Sequence, residues 1–274
     1  MRDQQEKQLA GHRAVVTGAS SGIGQDFARQ LAAMGADLVI AARRLDRLEA
    51  LAQELRDQHS VEVQCVQVDL CEAAAPKALF EQATTGGKEV TLLINNAGLG
   101  KYGSFMEFPF QNHRETIQVN AMAPTEITYY FVEHMLQHQK KSYITQVASI
   151  AAYQPVGNFA AYSATKGFMR YFSETLAFEL KKTNVSMTCV CPGGTYTEFF
   201  EHSGQKITSS GHATMMTSDE VVRLAIQAML KEKTVFVPGL LNKLACFFPR
   251  LLPSSVGLFL AHKTMSRAVE RSQP

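Results

Sequence analysis

The sequence is short of everything that would make net charge, disulfides or membrane insertion its organising principle. Its 27 Lys and Arg stand against 25 Asp and Glu, a formal net charge of +2, so no chain-wide field exists to hold nucleic acid or an anionic surface. Five cysteines, Cys65, Cys71, Cys189, Cys191 and Cys246, form an odd set without a C-x-x-C pair. That excludes a disulfide scaffold and a zinc finger and predicts reduced, buried thiols. No run of about 18 apolar residues occurs, and residues 1–13 are polar and charged where a signal peptide would be apolar; the expectation is a cytoplasmic protein. Low-complexity tracts, Pro/Ser-rich linkers and internal repeats are also lacking, so one domain is expected over residues 1–274.

What the chain does have is a rhythm of short apolar, often β-branched runs, each followed by an amphipathic stretch, the pattern of a parallel sheet with crossover helices. Strands are expected at Ala14–Thr17, Asp37–Ala42, Val61–Val68, Thr91–Asn95, Ser142–Ala148, Val185–Cys191 and Thr234–Val237. Helices are expected at Ile23–Met34, Asp46–Gln58, Ala74–Ala83, Asn112–Gln137, Ala160–Lys182 and Asp219–Leu230. The fold class is therefore α/β, a doubly wound, parallel, seven-stranded, Rossmann-like sheet. Its core spans about 11–238, with a loop at about 193–218 that has the length of a substrate lid. An apolar helical tail, about 239–274, is broken by Pro249, Arg250 and Pro253. It is too interrupted to span a membrane and is expected to pack on the core or on a second subunit, in preference to a membrane surface.

The first strand ends in Thr17-Gly18-Ala19-Ser20-Ser21-Gly22-Ile23-Gly24 and runs straight into a helix. Glycines there let backbone approach a pyrophosphate at a helix N-terminus, which points to a dinucleotide. After the second strand, Ala42 stands where an acid would bind a ribose 2′-hydroxyl, and Arg43 and Arg44 follow. A guanidinium suits a 2′-phosphate, and one charged contact is worth about 1.5–3 kcal/mol, so NADP(H) is favoured over NAD, with Arg43 the main contact and Arg44 the lesser one.

Tyr162 and Lys166 lie four apart on one helix face. A nearby ammonium can stabilise a phenolate, and about 4 kcal/mol of such stabilisation brings a tyrosine from its ordinary value toward neutrality. Alone the pair is ordinary; Ser149 at the end of the fifth strand places a hydroxyl on the carboxyl edge where open α/β sheets bind ligands.

Taken with Asn95-Asn96-Ala97-Gly98 after the fourth strand and Pro192-Gly193 after the sixth, these motifs resemble, in order, the short-chain dehydrogenase/reductase family in its compact branch, from about Arg13 to Val237. The resemblance implies that Ser149 hydrogen-bonds the substrate oxygen, Tyr162 exchanges a proton with it, and Lys166 binds the nicotinamide ribose. Asn120 would position a water for proton relay. Gly18, Ser20, Ser21, Gly22, Ile23 and Gly24 would hold the pyrophosphate, and Asp69 and Leu70 would face the adenine. Asn96, Ala97 and Gly98 would flank the adenosine, and Pro192, Gly193, Thr195 and Thr197 the nicotinamide. Thr195 stands where many members have Val, so carboxamide contact there would run through backbone. Segments 216–221 and 237–253 resemble general reductases of broad substrate range.

The implied function is an NADP(H)-dependent oxidoreductase acting on a carbonyl or secondary alcohol. The alternatives are a cofactor-binding sensor or scaffold without turnover and an epimerase or dehydratase without net redox. Tyr102, Phe105, Met106, Tyr153, Phe159, Tyr196, Phe199, Phe200, Met215 and Met216 are candidates for an apolar substrate pocket. The helices at Asn112–Gln137 and Ala160–Lys182 match those through which the family dimerises, so a homodimer or homotetramer is expected. His134 and His138 share a helix face but lack a third ligand; no metal site is expected, and the pair reads as an exposed helix end.

Overall fold

In the computed structural model, which describes residues 8–212, 214–248 and 252–271, the apolar runs become strands buried on both faces. In chain order these are β1 (Arg13–Thr17), α1 (Gly22–Ala33), β2 (Asp37–Ala42), α2 (Leu45–His59), β3 (Val63–Gln67), α3 (Ala75–Ala83), β4 (Leu92–Asn95), α4 (Phe110–Ile117), a wide turn (Gln118–Met122), α5 (Ala123–Leu136), β5 (Ser142–Val147), α6 (Ala160–Glu179) and β6 (Val185–Val190). The loop then carries β7 (Thr195–Tyr196), α7 (Phe199–Ser203), β8 (Gln205–Ile207), α8 (Ser209–His212) and β9 (Met216–Thr217). Last come α9 (Ser218–Leu230), β10 (Val235–Phe236), α10 (Leu240–Phe247), α11 (Ser254–Ala268) and β11 (Val269–Arg271).

Seven strands form one parallel sheet in the order β10-β6-β5-β4-β1-β2-β3. Alternation along each strand sends side chains to two cores. Ala14, Val16, Leu38 and Ile40 face one, with Phe27 and Leu31 of α1 and Val222, Ile226 and Met229 of α9. Val15, Val39 and Ala41 face the other, with Leu79 of α3 and Ile127, Phe131 and Met135 of α5. Phe27/Leu31 and Ile127/Phe131/Met135 repeat every four residues, which places each set on one helix stripe. Strand order reverses between β1 and β4, so the loops leaving their carboxyl ends part there and open a cleft.

The differences from expectation lie at ends and interruptions. The third and seventh strands are shorter than read, because pairing stops at Val63–Gln67 and at Val235–Phe236. The long helix expected over Asn112–Gln137 is broken at Gln118–Met122, where the Ala123 N–H reaches back five residues to the Gln118 carbonyl. The 193–218 loop is not structureless: β7 pairs with β9, and β8 pairs with β11 from the far end of the tail. His134 and His138 are half-buried, with Nε2 atoms 3.1 Å from the Val90 nitrogen and 3.3 Å from its carbonyl oxygen, so they tie a helix end to the segment that leads into β4. Among the described residues no group of His, Cys, Asp and Glu could hold a metal ion.

The tail packs on the core as expected, but only in part. Pro249, Arg250 and Leu251 lie outside the described residues. Around them the core receives Cys246, Ala261 and Val269, while most of the tail's large apolar side chains face outward. No helix among the described residues is long and apolar enough to cross a membrane.

Beneath the cleft, the Thr128 hydroxyl joins three elements. It accepts from Asn95 Nδ2 (3.0 Å) and Gln146 Nε2 (2.7 Å) and donates to the Pro124 carbonyl (2.6 Å), all fully buried. Thr128→Val keeps the shape but takes the acceptor from the buried Gln146 amide and leaves Asn95 Nδ2 only the Pro124 carbonyl at 3.4 Å. Denaturant unfolding should show a loss on the order of 3 kcal/mol, largely restored in Thr128→Ser.

Candidate active site

The glycine turn is shaped by what cannot be added to it. A Cβ on Gly24 would lie 2.4 Å from the Gly18 carbonyl oxygen and from Asn96 Nδ2, and Gly18 itself has φ +67° with Ala97 Cα close behind. The bare backbone at the start of α1 is thus pressed against the loop after β4. Asn96 Nδ2 donates to the Thr17 carbonyl (2.9 Å), and the Asn96 and Ala97 N–H groups donate to Thr17 Oγ1 (3.0 and 3.1 Å). Ser20, Ser21 and Gly22 edge an open groove of about 570 Å³ that runs between α1 and α2, walled by Asp26, Arg29, Arg47 and Glu54 and by Tyr196, Thr197 and Glu198 from the loop; Ser149, Tyr162 and Lys166 do not line it. Ile23 points the other way, onto the core. A glycine cradle with hydroxyls at its mouth and a helix N-terminus behind it fits a pyrophosphate.

The two arginines after β2 part company. Arg43 is exposed, and its carbonyl accepts from Gln67. Arg44 folds over the glycine turn, donating to Ser20 Oγ (3.0 Å) and Ser21 Oγ (2.9 Å), and pairs with Glu198 at 2.8 Å. Arg47, one turn further along α2, reaches the same carboxylate at 2.5 Å. The two guanidinium groups hold the Glu198 carboxyl down to about 2. Arg47 and Glu198 were not legible as site residues. The i, i+3 spacing from Arg44 could have flagged Arg47, whereas Glu198 is brought across from 154 positions away.

Tyr162 and Lys166 stand on the first turns of α6, and Ser149 lies where β5 gives way to a short 3₁₀ turn whose Ala151 N–H its hydroxyl accepts (3.1 Å). The Lys166 ammonium, 5% exposed as a residue, lies 5.6 Å from the centre of the Tyr162 ring and donates to the Val147 carbonyl (2.8 Å). Burial brings Lys166 down to about 8. Burial also pushes the Tyr162 phenol up to about 12, against the Ser149 hydroxyl, which hydrogen-bonds it and pulls it down. The direction is opposite to the lowering expected from the Lys166 ammonium: in the free protein burial outweighs it, so the phenol keeps its proton at neutral pH.

Asn120 sits inside the wide turn, fully buried. Its Oδ1 accepts from Leu99 N (2.7 Å), and its Nδ2 donates to the Leu99 carbonyl (2.7 Å) and to Thr165 Oγ1 (3.1 Å). Between them Gly98 leaves a narrow space: a Cβ there would meet Asn120 Oδ1 and Lys166 Nζ, each at 3.5 Å. Wide turns of this kind release helix carbonyls from their regular partners and recur at functional sites.

The remaining sequence candidates are dispersed around this centre. Asp69 turns inward on its own loop, accepting from the Cys71 N–H (3.0 Å), and Leu70 is buried in the core. Pro192 accepts from Ile150 N–H, Gly193 packs against Asn242 of α10, and Thr195 and Thr197 hydroxyls donate to Gly193 and Thr195 carbonyls. Of the apolar pocket candidates, Tyr102, Phe159, Phe199 and Phe200 do gather at Tyr162. Phe159 stacks on its ring at 4.6 Å and Phe199 tilts against it at 5.4 Å. Phe105 and Met106 are exposed instead, Tyr153 sits under Arg170, and Tyr196 stacks on His212. Met265 and Val269 take part from the tail, which nothing local in the sequence signals.

The short chain dehydrogenase family profile matches residues 12–208. The chain belongs to that family and is an oxidoreductase of its type. It is 31% identical over 186 residues to an uncharacterized oxidoreductase of Myxococcus xanthus, a match covering 68% of this chain and 73% of that protein. Among solved structures, a short-chain dehydrogenase from Sphingobium yanoikuyae in complex with NADPH superposes with TM-score 0.78 at 28% identity, over 96% of this chain and 98% of the other. The bulky-bulky ketone specific alcohol dehydrogenase of Comamonas testosteroni superposes with TM-score 0.74 at 28% identity, over 88% and 93%.

Because the folded Lys166 value lies below that of the unfolded side chain, the unfolded state binds more protons between about pH 8 and 10.5. The cost of burying the cation is present below that window and fades as pH rises through it. Lys166→Met removes the cost, so its stability difference from wild type should shift by about 3 kcal/mol toward wild type across the window in urea unfolding. A pH-independent difference would contradict a buried ammonium.

Proposed function

We propose that the protein is an NADP(H)-dependent oxidoreductase that interconverts a carbonyl compound and a secondary alcohol. The observation that carries this reading is the convergence of half-buried Ser149 and Tyr162 with buried Lys166 and Asn120, on the same sheet edge as a glycine turn that fits a dinucleotide. When bound, the nicotinamide supplies or accepts the hydride at the substrate carbon. The protein's own residues handle the proton and the orientation. Ser149 hydrogen-bonds the substrate oxygen, and Tyr162 donates its phenolic proton to that oxygen as reduction develops negative charge there. Lys166 holds a positive charge 5.6 Å from the ring and lowers the cost of leaving a phenolate. The Asn120 side chain is committed to Leu99 and Thr165, so the water it positions for refilling the proton is held by backbone of the wide turn.

For the cofactor, Gly18, Ser20, Ser21, Gly22 and Gly24 cradle the pyrophosphate, Ala97 and Gly98 flank the ribose, and Thr195 and Thr197 lie at the nicotinamide end. Arg44 is the better-placed reader of a 2′-phosphate, since it already bonds both turn serines, and Arg43 assists from the exposed side. The Glu198 carboxylate is the anion that Arg44 and Arg47 hold here, and a phosphate at that position competes with it. The aromatic surround of Tyr162 favours a hydrophobic ketone or acyl-chain carbonyl. We read the chain as one cytoplasmic domain, core about 11–238, dimerising through α5 and α6. Exposed Tyr129, Leu136, Phe168, Tyr171 and Phe178 on those helices support that assembly.

Calorimetric titration with NADPH and NADH tests the cofactor reading. Wild type should prefer NADPH at least about tenfold, Arg44→Ala should lose that margin and Arg43→Ala only part of it; equal affinity for the two nucleotides in wild type overturns NADP specificity. Turnover is tested on a panel of apolar ketones. Tyr162→Phe should lower kcat by about 10²–10⁴-fold with NADPH affinity kept. Tight NADPH binding by wild type without oxidation on any ketone would favour a cofactor-binding sensor.

A further inference from the structure

The tail helices are built inside out. α10 turns Asn242 and Cys246 inward and exposes Leu240, Leu241, Leu244, Phe247 and Phe248, with Leu240 71% exposed. Their spacing, i, i+1, i+4, i+7 and i+8, is a single helix stripe. α11 repeats the arrangement: Ala261 is buried while Val256, Phe259 and Leu260 are exposed. In α1 and α9 the large side chains of the stripe are the buried ones. Nothing among the described residues covers the α10 stripe, and contiguous apolar surface of this kind marks a contact with another phase or molecule.

A second observation adjoins it. Lys231 and Lys233, just after α9, and Lys243 of α10 surround a cavity of about 250 Å³ whose rim includes Leu240, the first residue of the stripe. The Lys233 and Lys243 ammonium groups stand 5.5 and 5.7 Å from the centre of the Phe236 ring. None of the three lysines forms an ion pair among the described residues, and Glu232, the acid between them, is engaged by Lys141 at 2.8 Å. From Lys233 to Val269 the sequence contains no Asp or Glu.

We propose that α10 and its lysine cavity form a peripheral docking surface for an anionic phospholipid bilayer. The Leu/Phe stripe enters the interfacial layer, and the three ammonium groups take headgroup phosphates. At 8 residues α10 lies on the bilayer and does not cross it. Charge decides against a second copy as the occupant. A two-fold contact sets the same patch against itself, and here it would bring Lys243 toward its own image with no carboxylate in the segment to pair either. The outer stripe of α10 is therefore assigned to a membrane surface, while Cys246, Met265, Val269 and the β11–β8 pairing hold the tail to the core as the sequence leads one to expect. The docking surface is independent of the redox reading, because neither the stripe nor the lysines touch the catalytic pocket.

The full chain is tested by co-sedimentation with vesicles of phosphatidylcholine alone and with about a quarter phosphatidylserine. Wild type should partition at least about tenfold more strongly onto the anionic vesicles at low salt, and that margin should shrink as salt screens it. The triple variant Lys231→Gln, Lys233→Gln, Lys243→Gln should lose about a hundredfold on anionic vesicles. The double variant Leu241→Glu, Phe247→Glu should lose binding to both kinds; all these positions are exposed, so an unchanged Tm shows the fold intact. Three results overturn the proposal: no partition of wild type, equal partition of wild type and both variants, or a wild-type dimer that Leu241→Glu, Phe247→Glu converts to monomer without altering partition. Saturable binding of inorganic phosphate in calorimetry without vesicle partition also overturns it, by assigning the lysines to a free anion.

Discussion

An ammonium taken out of water is the constraint around which the candidate site is arranged. Lys166 has one fixed partner, the Val147 carbonyl at the end of β5, and an unpaired charge at that depth is costly unless neighbouring groups reorganise around it. The loop after β4 keeps Gly98 beside it, the wide turn sets Asn120 against the same loop, and the first turn of α6 places the Tyr162 ring alongside. A buried charge of this kind is kept at a cost in stability.

The cleft is held by a different logic. Its floor is backbone, made rigid where Thr17, Asn96 and Ala97 bond one another across the parting of β1 and β4, and its roof is a charge pair between α2 and the loop after β6. Glu198 bridges Arg44 and Arg47 while all three stay partly exposed, so the closure is screened and weak compared with the floor. Rigid floor and lightly latched roof suit a site that must admit and release a large anionic ligand. The roof is also tied to the chain's end, since β11 pairs with β8 and brings Val269 and Met265 into the aromatic surround of Tyr162.

Much of this was legible in the sequence because the informative signals are local. The unbroken apolar runs of β1 and β2, stripes of four in α1 and α5, and the glycine run between β1 and α1 are each set by neighbours a few residues apart. The Tyr162/Lys166 pair was legible for the same reason. The break at Gln118–Met122 was not, because helix periodicity continues through a single inserted residue and only the hydrogen-bond ladder reveals it. Which of the two adjacent guanidinium groups folds over the glycine turn was not legible: adjacent residues after a strand point to opposite sides, and the turn of α2 sends Arg44 to Ser20 and Ser21.

By itself the amino-acid sequence determined the strand and helix alternation, the parallel class of the sheet, the glycine turn and the Ser149, Tyr162 and Lys166 set, since each is encoded in short-range pattern and residue chemistry. Tertiary structure alone decided that Glu198 meets Arg44 and Arg47, that the tail closes on the loop through β11, and that the apolar residues of α10 face outward. Those outcomes depend on which surfaces are already covered when distant segments meet, and no local pattern carries that information: the stripe of α10 is spaced like that of any core helix, and only the packed molecule shows that Asn242 and Cys246 took the inner side.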